Sequence, residues 1–347
     1  MGYKSGEIYF IREKSTSDNE FTPWVKIGLV TDGRKGGSFG RLLEHQTANP
    51  RNLSLNESHI IPTDAVTAVE AQLHRRFASK RVRNEWFKFD TQDELDMAIR
   101  EARSLATEMS DVAPIFGEME SLSNRIDNGK IVSPDVSSIE VARRLVRAKI
   151  YVKICADAEK TLKKALEAAL SKGEDVQGVA KEASIEVKAK FNRSEFETDY
   201  PDLFQEFSVV SKKTIQRFLI DTKFRKNTSA TIQDQIDLFS DRIEQITATG
   251  ETFAAEGQFQ MMQDSILQLT KEKALADWDR SIDEAKLKVA CAENHELEGL
   301  CTWRREEKPE KKFDEKAFQL KHPDMFSDYL SDPETKKFIR LSRTYGK

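Results

Sequence analysis

Gly6-Glu7-Ile8-Tyr9-Phe10-Ile11 and, after a polar connection from Arg12 to Pro23, Trp24-Val25-Lys26-Ile27-Gly28-Leu29-Val30 decide how residues 1–92 read. Each run is short, rich in β-branched and aromatic residues and bounded by polar turns, which predicts two buried strands of a hairpin. A glycine-rich turn, Asp32-Gly33-Arg34-Lys35-Gly36-Gly37, leads into Arg41-Leu42-Leu43-Glu44-His45. Ser38 is the expected cap of a helix over 38–48 that stops at Asn49-Pro50. Arg41 and His45 share one face of it by their spacing. A hairpin that sets Tyr9 beside Lys26, followed by a helix offering arginine and histidine, suggests a phosphate site.

Working outward, 53–61 reads as a third strand, and Thr63 or Asp64 is the expected cap of the next helix. Val66, Val69, Leu73 and Phe77 form its apolar face, with Glu70 and His74 flanking that face together. Arg75, Arg76, Lys80, Arg81 and Arg83 cluster at its end, and Trp86-Phe87-Lys88-Phe89 reads as an edge strand. A helix over 92–108 closes an α+β unit at 1–109, a small mixed sheet of three or four strands with flanking helices.

The chain has 347 residues, enough for two domains. Net charge is −4, which excludes a globally basic DNA-coating protein, but residues 1–90 hold 14 Lys and Arg against 11 Asp and Glu. A mildly basic module on an acidic remainder binds DNA if its cations are clustered. Charged residues reach 33% and mean hydropathy is −0.60, which fits a soluble, helix-rich protein. No apolar run is long enough to span a membrane and no signal peptide is evident. Three cysteines are too few for a disulfide framework, so a reducing cytoplasm is the simplest setting.

Proline and glycine interrupt the periodicity over 110–136, which reads as a linker. From Ser137 to the end the chain reads as helical. Val141, Leu145, Ala148, Val152, Cys155, Leu162, Leu166 and Ala169 form one seam. Phe259, Met262, Ile266 and Leu269 start a second, which resumes through Leu275, Trp278, Ile282, Ala285 and Val289 after a phase shift near Lys273. An antiparallel bundle or coiled-coil arm follows, with homodimerisation as one use. A two-copy repeat is also visible, over about 196–226 and 318–347. Phe196 to Phe207 parallels Phe318 to Tyr329, and each copy continues into a basic, aromatic stretch. Cys291, His295 and Cys301 match zinc spacing only loosely, and the expectation is that they continue a helix.

Residues 1–92 resemble the GIY-YIG nuclease superfamily in its phage and restriction-enzyme branch. Gly6, Ile8 and Tyr9 stand for the first half of the signature with Glu7 inserted, and Lys26-Ile27-Gly28 for the second half with lysine in place of tyrosine. Arg41, His45, Glu70 and Asn84 match the later elements in order. The resemblance implies metal-dependent DNA cleavage in phage biology, restriction or mobile elements, with Tyr9, Lys26, Arg41, His45 and Glu70 catalytic and Glu70 holding the metal. Magnesium or manganese suits one carboxylate plus phosphate oxygens, and Arg41 offers a planar fork to phosphate. Tyr9 and Lys26 both remain open as the base. Asn84 would position a ligand or the loop, and Arg75, Arg76, Arg81 and Arg83 are candidate DNA contacts.

Plainer readings stand beside these. Tyr9 is then core packing, Arg41 and Glu70 a structural ion pair, and His74 a satisfied core histidine. His59 is structural, Glu85 a local partner and weaker rival ligand, and the charge runs are solvated faces. The alternative for the whole unit is an inactive module that binds DNA or protein.

Overall fold

The computed structural model describes residues 4–47, 49–174, 176 and 179–341. The predicted helix end at Ala48, and Arg343 and Tyr345 of the repeat, lie outside them. The fold class is α+β. The N-terminal part runs β1 (Gly6–Lys14), β2 (Phe21–Thr31), α1 (Gly37–Thr47), β3 (Asn52–Ser54), β4 (Ile60–Thr63), α2 (Val66–Arg76), β5 (Arg81–Arg83), β6 (Trp86–Lys88) and α3 (Gln92–Ser123). Its sheet has the order β3-β1-β2-β6-β5, with β4 also on β1.

In the β1–β2 hairpin Tyr9 pairs with Gly28, Phe10 with Ile27 and Ile11 with Lys26. Opposed residues in antiparallel strands share a face, and the faces alternate. Ile8, Phe10, Val25 and Ile27 therefore point one way, into a core closed by Val66, Val69 and Leu73 of α2 and Leu95, Ala98 and Ala102 of α3. Each valine, leucine, isoleucine or phenylalanine among them contributes roughly 1.5–3 kcal/mol by leaving water. Tyr9, Lys26 and Gly28 point the other way.

Several local expectations are corrected. The third strand is two short ones, because Asn56 accepts the Ser58 N–H at 2.9 Å and turns the chain through Glu57–His59. Neither Thr63 nor Asp64 caps α2, whose first N–H instead meets the Lys4 carbonyl at 3.0 Å. The strand at Trp86 is not an edge, since β5 lies outside it. The expected linker over 110–136 is helical as far as Ser123. Met109, Val112 and Phe116 keep the helical spacing past Pro114 and stay in the same core, which offsets the hydrogen bond that proline forfeits.

The chain continues through β7 (Ile131–Val132), α4 (Val136–Ser171), β8 (Ala180–Val187), α5 (Arg193–Asp199), α6 (Pro201–Glu206), β9 (Ser208–Ile220), α7 (Thr222–Thr231), α8 (Gln233–Ala255), α9 (Phe259–Cys291), β10 (Glu296–Leu297), β11 (Cys301–Phe313), α10 (Glu315–Lys321), α11 (Pro323–Asp328) and β12 (Glu334–Leu341). The helices α4, α8 and α9 pack around Cys155, Leu162, Leu166, Ile243, Met262, Ile266 and Leu269. The phase shift in α9 falls where Lys273 donates to the buried Glu159 of α4 at 2.9 Å. Trp278, Ile282 and Ala285 of α9 then enter the N-terminal core. Among the described residues no helix is long and apolar enough to cross a membrane.

The last third is not helical throughout. The basic, aromatic stretches after each repeat copy are strands up to Ile220 and Leu341, with Lys223 to Lys226 of the first already in α7, and each copy is a strand–helix–helix–strand unit. Tyr200 and His322 share one backbone shape (φ −134, ψ 64 and φ −135, ψ 62), each followed by a proline in the first helical turn. Phe196, Phe204, Phe313, Phe318 and Phe326 from both copies form one aromatic core with Phe191. The strands cross-pair, β9 with β11 and β8 with β12. When Phe196 is set on Phe318, the pair Lys212–Pro309 falls on Glu334–Val187, so the two ribbons share one register. The copies form a pseudo-twofold pair within one chain, with α7 to α9 and β10 inserted between them. Cys291 ends a helix and Cys301 starts a strand, correcting the continuous helix expected there. Their thiols lie 3.9 Å apart, and His295 meets Asp127 at 3.3 Å.

Candidate active site

Tyr9 sits on the face of the hairpin turned toward α1 and is 1% exposed. Its ring fills the space beside Gly28. A Cβ there would fall 2.4 Å from Tyr9 Oη and 2.6 Å from Cζ, so glycine is what admits the ring. At Gly6 a Cβ would fall 2.1 Å from the Val30 carbonyl oxygen, so that glycine lets the strands close.

From α1, His45 Nε2 comes to 3.4 Å of Tyr9 Oη, and the Arg41 guanidinium also reaches the phenol. The two α1 residues thus share a face as their spacing predicts. Arg41 donates to Glu44 at 2.6 Å, and Arg34 holds the same carboxylate at 2.8 Å. Arg41 is therefore paired locally, not with Glu70. Its Nε is buried and has no acceptor among the described residues.

The register that opposes Lys26 to Ile11 puts its ammonium on this side, 7% exposed and bonded to Glu85. Asn84 just before it adopts φ +52, a left-handed conformation asparagine tolerates. That turn lets the Glu85 carbonyl accept the Ile27 N–H at 3.0 Å. Asn84 is thus the residue that shapes the loop. Glu70 approaches from α2, within electrostatic range of Lys26, Glu85 and Arg81. His74, one turn on, donates from Nε2 to the Ile27 carbonyl at 3.0 Å, as a satisfied histidine does.

Burial governs the protonation states. It raises the Tyr9 phenol although Arg41 pulls the other way. It lowers His45, helped by Lys26 and Arg41. It pushes the Glu70 carboxyl up to about 7, with Glu85 adding to the rise against Lys26 and Arg81. Burial also opposes the charged form of Glu85, but the Lys26 ammonium outweighs it and holds that carboxyl below its ordinary value. At neutral pH the site presents a protonated phenol, a neutral imidazole and one carboxyl poised to titrate.

The predicted DNA contacts divide. Arg76 is committed to Glu101 of α3 at 3.1 Å and Arg75 to Asp277 of α9 at 3.4 Å. Arg81 donates to the His74 carbonyl at 3.2 Å. Arg83 and Asn84 are exposed on the β5–β6 turn.

Two residues of the site were not foreseen. Glu7, the residue inserted into the first motif, accepts the Ser38 N–H at 3.1 Å and its hydroxyl at 2.6 Å. The carboxylate of β1, not the Ser38 side chain, thus caps α1 and fixes the helix that carries Arg41 and His45. Its period-two spacing from Tyr9 was the available signal. Glu44 was the second, on the helix face beside Arg41.

No curated protein and no solved structure matches the chain. Residues 6–103, which span every residue of this site, match the family model of the T5orf172 domain, a domain of nuclease type.

Proposed function

We propose that residues 6–103 are a GIY-YIG-like, metal-dependent endonuclease hydrolysing DNA phosphodiester bonds. The observation that carries this reading is the convergence of Tyr9, Arg41, His45, Lys26 and Glu70 from four elements onto one polar site beside a glycine that admits the phenol. Glu70, with Glu85 beside it, would hold Mg2+ or Mn2+. Hard carboxylate oxygens suit those ions, and a Glu70 pushed up to about 7 is a ligand that a cation would draw into its charged form. When bound, the cation supplies polarisation of the phosphoryl group and stabilises the leaving oxygen.

The chain's own residues do the rest. The unpaired Arg41 Nε donates to a non-bridging phosphate oxygen, where charge grows in the transition state. A phenol raised above its ordinary value is not a ready phenolate, so Tyr9 acts through its hydroxyl. It gives its proton to the neutral His45 Nε2 as it takes one from the attacking water. Lys26 is engaged by Glu85, which leaves Tyr9 and His45 as the proton route.

A supercoiled-plasmid assay with Mg2+ or Mn2+ tests the reading, using wild type, Glu70→Ala and Arg41→Ala, each checked for folding by circular dichroism. Metal-dependent nicking lost in both folded variants is expected. Wild-type protein that binds but never cuts plasmid, branched or single-stranded DNA would sink the enzyme and leave a binding module.

A further inference from the structure

We infer that the β9/β11 ribbon is a DNA-binding arm whose one face straddles the major groove of duplex DNA. The inference rests on the reading of this chain as a protein that acts on DNA.

The ribbon pairs without interruption from Ile220–Cys301 to Ser208–Phe313. At one end it is anchored in the body of the protein. Arg305 is buried there, donating to the Leu122 carbonyl at 2.9 Å and the Ala292 carbonyl at 2.7 Å, which are C-terminal carbonyls of α3 and α9. At the other end it enters the aromatic core through Phe313. Between these anchors its two faces differ. Cations on the face with Arg305 are engaged: Lys212 with Glu307 at 2.7 Å, and Lys311 with Glu197 at 3.1 Å.

The other face carries Lys213, Arg217, Arg304, Lys308 and Lys312, all exposed, against Glu306 and Glu310. Two of its cross-strand pairs are of like charge, Lys213 opposite Lys308 and Arg217 opposite Arg304. Like charges directly opposed destabilise a ribbon. Glu306 takes Arg304 at 2.6 Å and Lys308 at 3.1 Å, and Glu310 lies 3.6 Å from Lys213. The ion pairs of the described residues include none to Arg217.

The duplicated ribbon shows that the fold does not require this charge. In the same register β8/β12 places Thr335 opposite Glu186 and Ile339 opposite Glu182 at the equivalent positions. At these two positions β8/β12 forms without like charges and keeps its own like pair elsewhere, Lys181 opposite Arg340, whereas β9/β11 keeps both, so the charge here is not set by the architecture. Five cations on this face share two carboxylates, and a polyanion supplies the remaining counter-charge. The two pairs are four residues apart, about 13 Å along a strand. That is close to the ~12 Å width of the B-DNA major groove, which admits a two-stranded ribbon. One pair then meets each flanking phosphate strand. The deep, narrow major groove of an RNA duplex does not admit side chains this way.

The test is equilibrium binding of the full chain to a fluorescent DNA duplex in EDTA across a salt series. The ribbon variant is Lys213→Thr, Arg217→Thr, Arg304→Gln and Lys308→Gln. A control removes four exposed cations from α4, as Lys153→Gln, Lys160→Gln, Lys163→Gln and Lys164→Gln. The expected result is a Kd raised at least tenfold and a log K against log salt slope reduced by about 3.5 for the ribbon variant, little change for the control, and an unfolding temperature equal to or above wild type. If the fourfold variant unfolds, Arg217→Thr with Arg304→Gln alone should give about half the change in slope. Equal loss in ribbon variant and control, no loss in the ribbon variant, no binding by wild type, or equally tight ribbon-dependent binding of an RNA duplex would each overturn the assignment. EDTA separates this inference from the nuclease reading. Ribbon-dependent binding without plasmid cleavage defeats only the enzyme, and cleavage with ribbon-independent binding defeats only the arm.

Discussion

On one face of the β1–β2 hairpin, Ile8, Phe10, Val25 and Ile27 are sealed under α2 and α3 in an apolar core. On the other face, one residue along each strand, Tyr9 and Lys26 are almost as buried but carry a hydroxyl and an ammonium. The first face follows the hydrophobic effect alone. The second holds polar groups out of water, a cost that buried partners only partly offset. Its protonation states are displaced by burial, and the buried Arg41 Nε has no acceptor among the described residues. Displaced ionisation beside a phosphate-competent arginine is what an active site requires and a core does not. On the proposed reading, stability resides on one face of the hairpin and chemistry on the other, and substitutions should separate the two.

The largest effect on stability is expected from Phe10→Ala on the apolar face, about 3–5 kcal/mol by lost burial and cavity formation. Thermal unfolding should show it, while cleavage per folded molecule at low temperature stays near wild type. Equal loss of activity would mean that the faces are not separable.

Glu70→Gln should do the reverse. Cleavage falls on the order of 1,000-fold, because the cation loses its carboxylate. Stability moves the other way, with a sign set by pH. The Glu70 carboxyl is raised from 4.5 to about 7 in the fold, so between those values the folded state binds more protons than the unfolded one. Wild type therefore loses stability as pH rises through that window. The glutamine variant has no such loss. It should melt a few degrees above wild type at pH 8 and level with it at pH 4. A glutamine variant that melts below wild type at pH 8 would make Glu70 a structural ion-pair partner.

Gly28→Ala tests the seam between the faces. The added methyl displaces the Tyr9 ring, and a misplacement near 1 Å costs about 100-fold in rate. The overpacking itself costs about 1–3 kcal/mol. Tyr9→Phe should lose the proton route and keep the fold, so Gly28→Ala combined with Tyr9→Phe should be little slower than Tyr9→Phe alone. Additive losses would disconnect the glycine from the tyrosine.

Much of this contrast was legible in the sequence. The strand pair followed from β-branched and aromatic runs, the shared face of Arg41 and His45 from their spacing, and the duplicated unit from Phe196-to-Phe207 set on Phe318-to-Tyr329. What escaped depends on partners remote in the chain. Arg75 and Arg76 read as free cations because Asp277 and Glu101 come from α9 and α3. β9 and β11 carry no clean alternation, since each is exposed over much of both faces, and their pairing spans the whole inserted bundle. The linker expected at 110–136 put the weight on Pro114, whereas packing of Val112 and Phe116 decided for helix.

The smallest effect sharpens the comparison most, because it falls on a residue that looked like an interruption. Glu7 shares the face of Tyr9, and its carboxylate caps α1 through Ser38. Glu7→Gln keeps an acceptor for the N–H but removes the charge at the positive end of the helix, so a stability loss of about 0.5–1 kcal/mol is expected. Glu7→Ala removes the acceptor as well and should lose about 1–2 kcal/mol. Neither variant touches the phenol, the imidazole or the guanidinium directly. If the cap serves to hold α1 against the hairpin, cleavage should fall several-fold in Glu7→Ala with the pH profile unchanged, because the groups are displaced together without being retitrated. An altered pH profile would put Glu7 in direct electrostatic contact with Tyr9 or His45, and the residue inserted into the first motif would then belong to the chemistry, not to its scaffold.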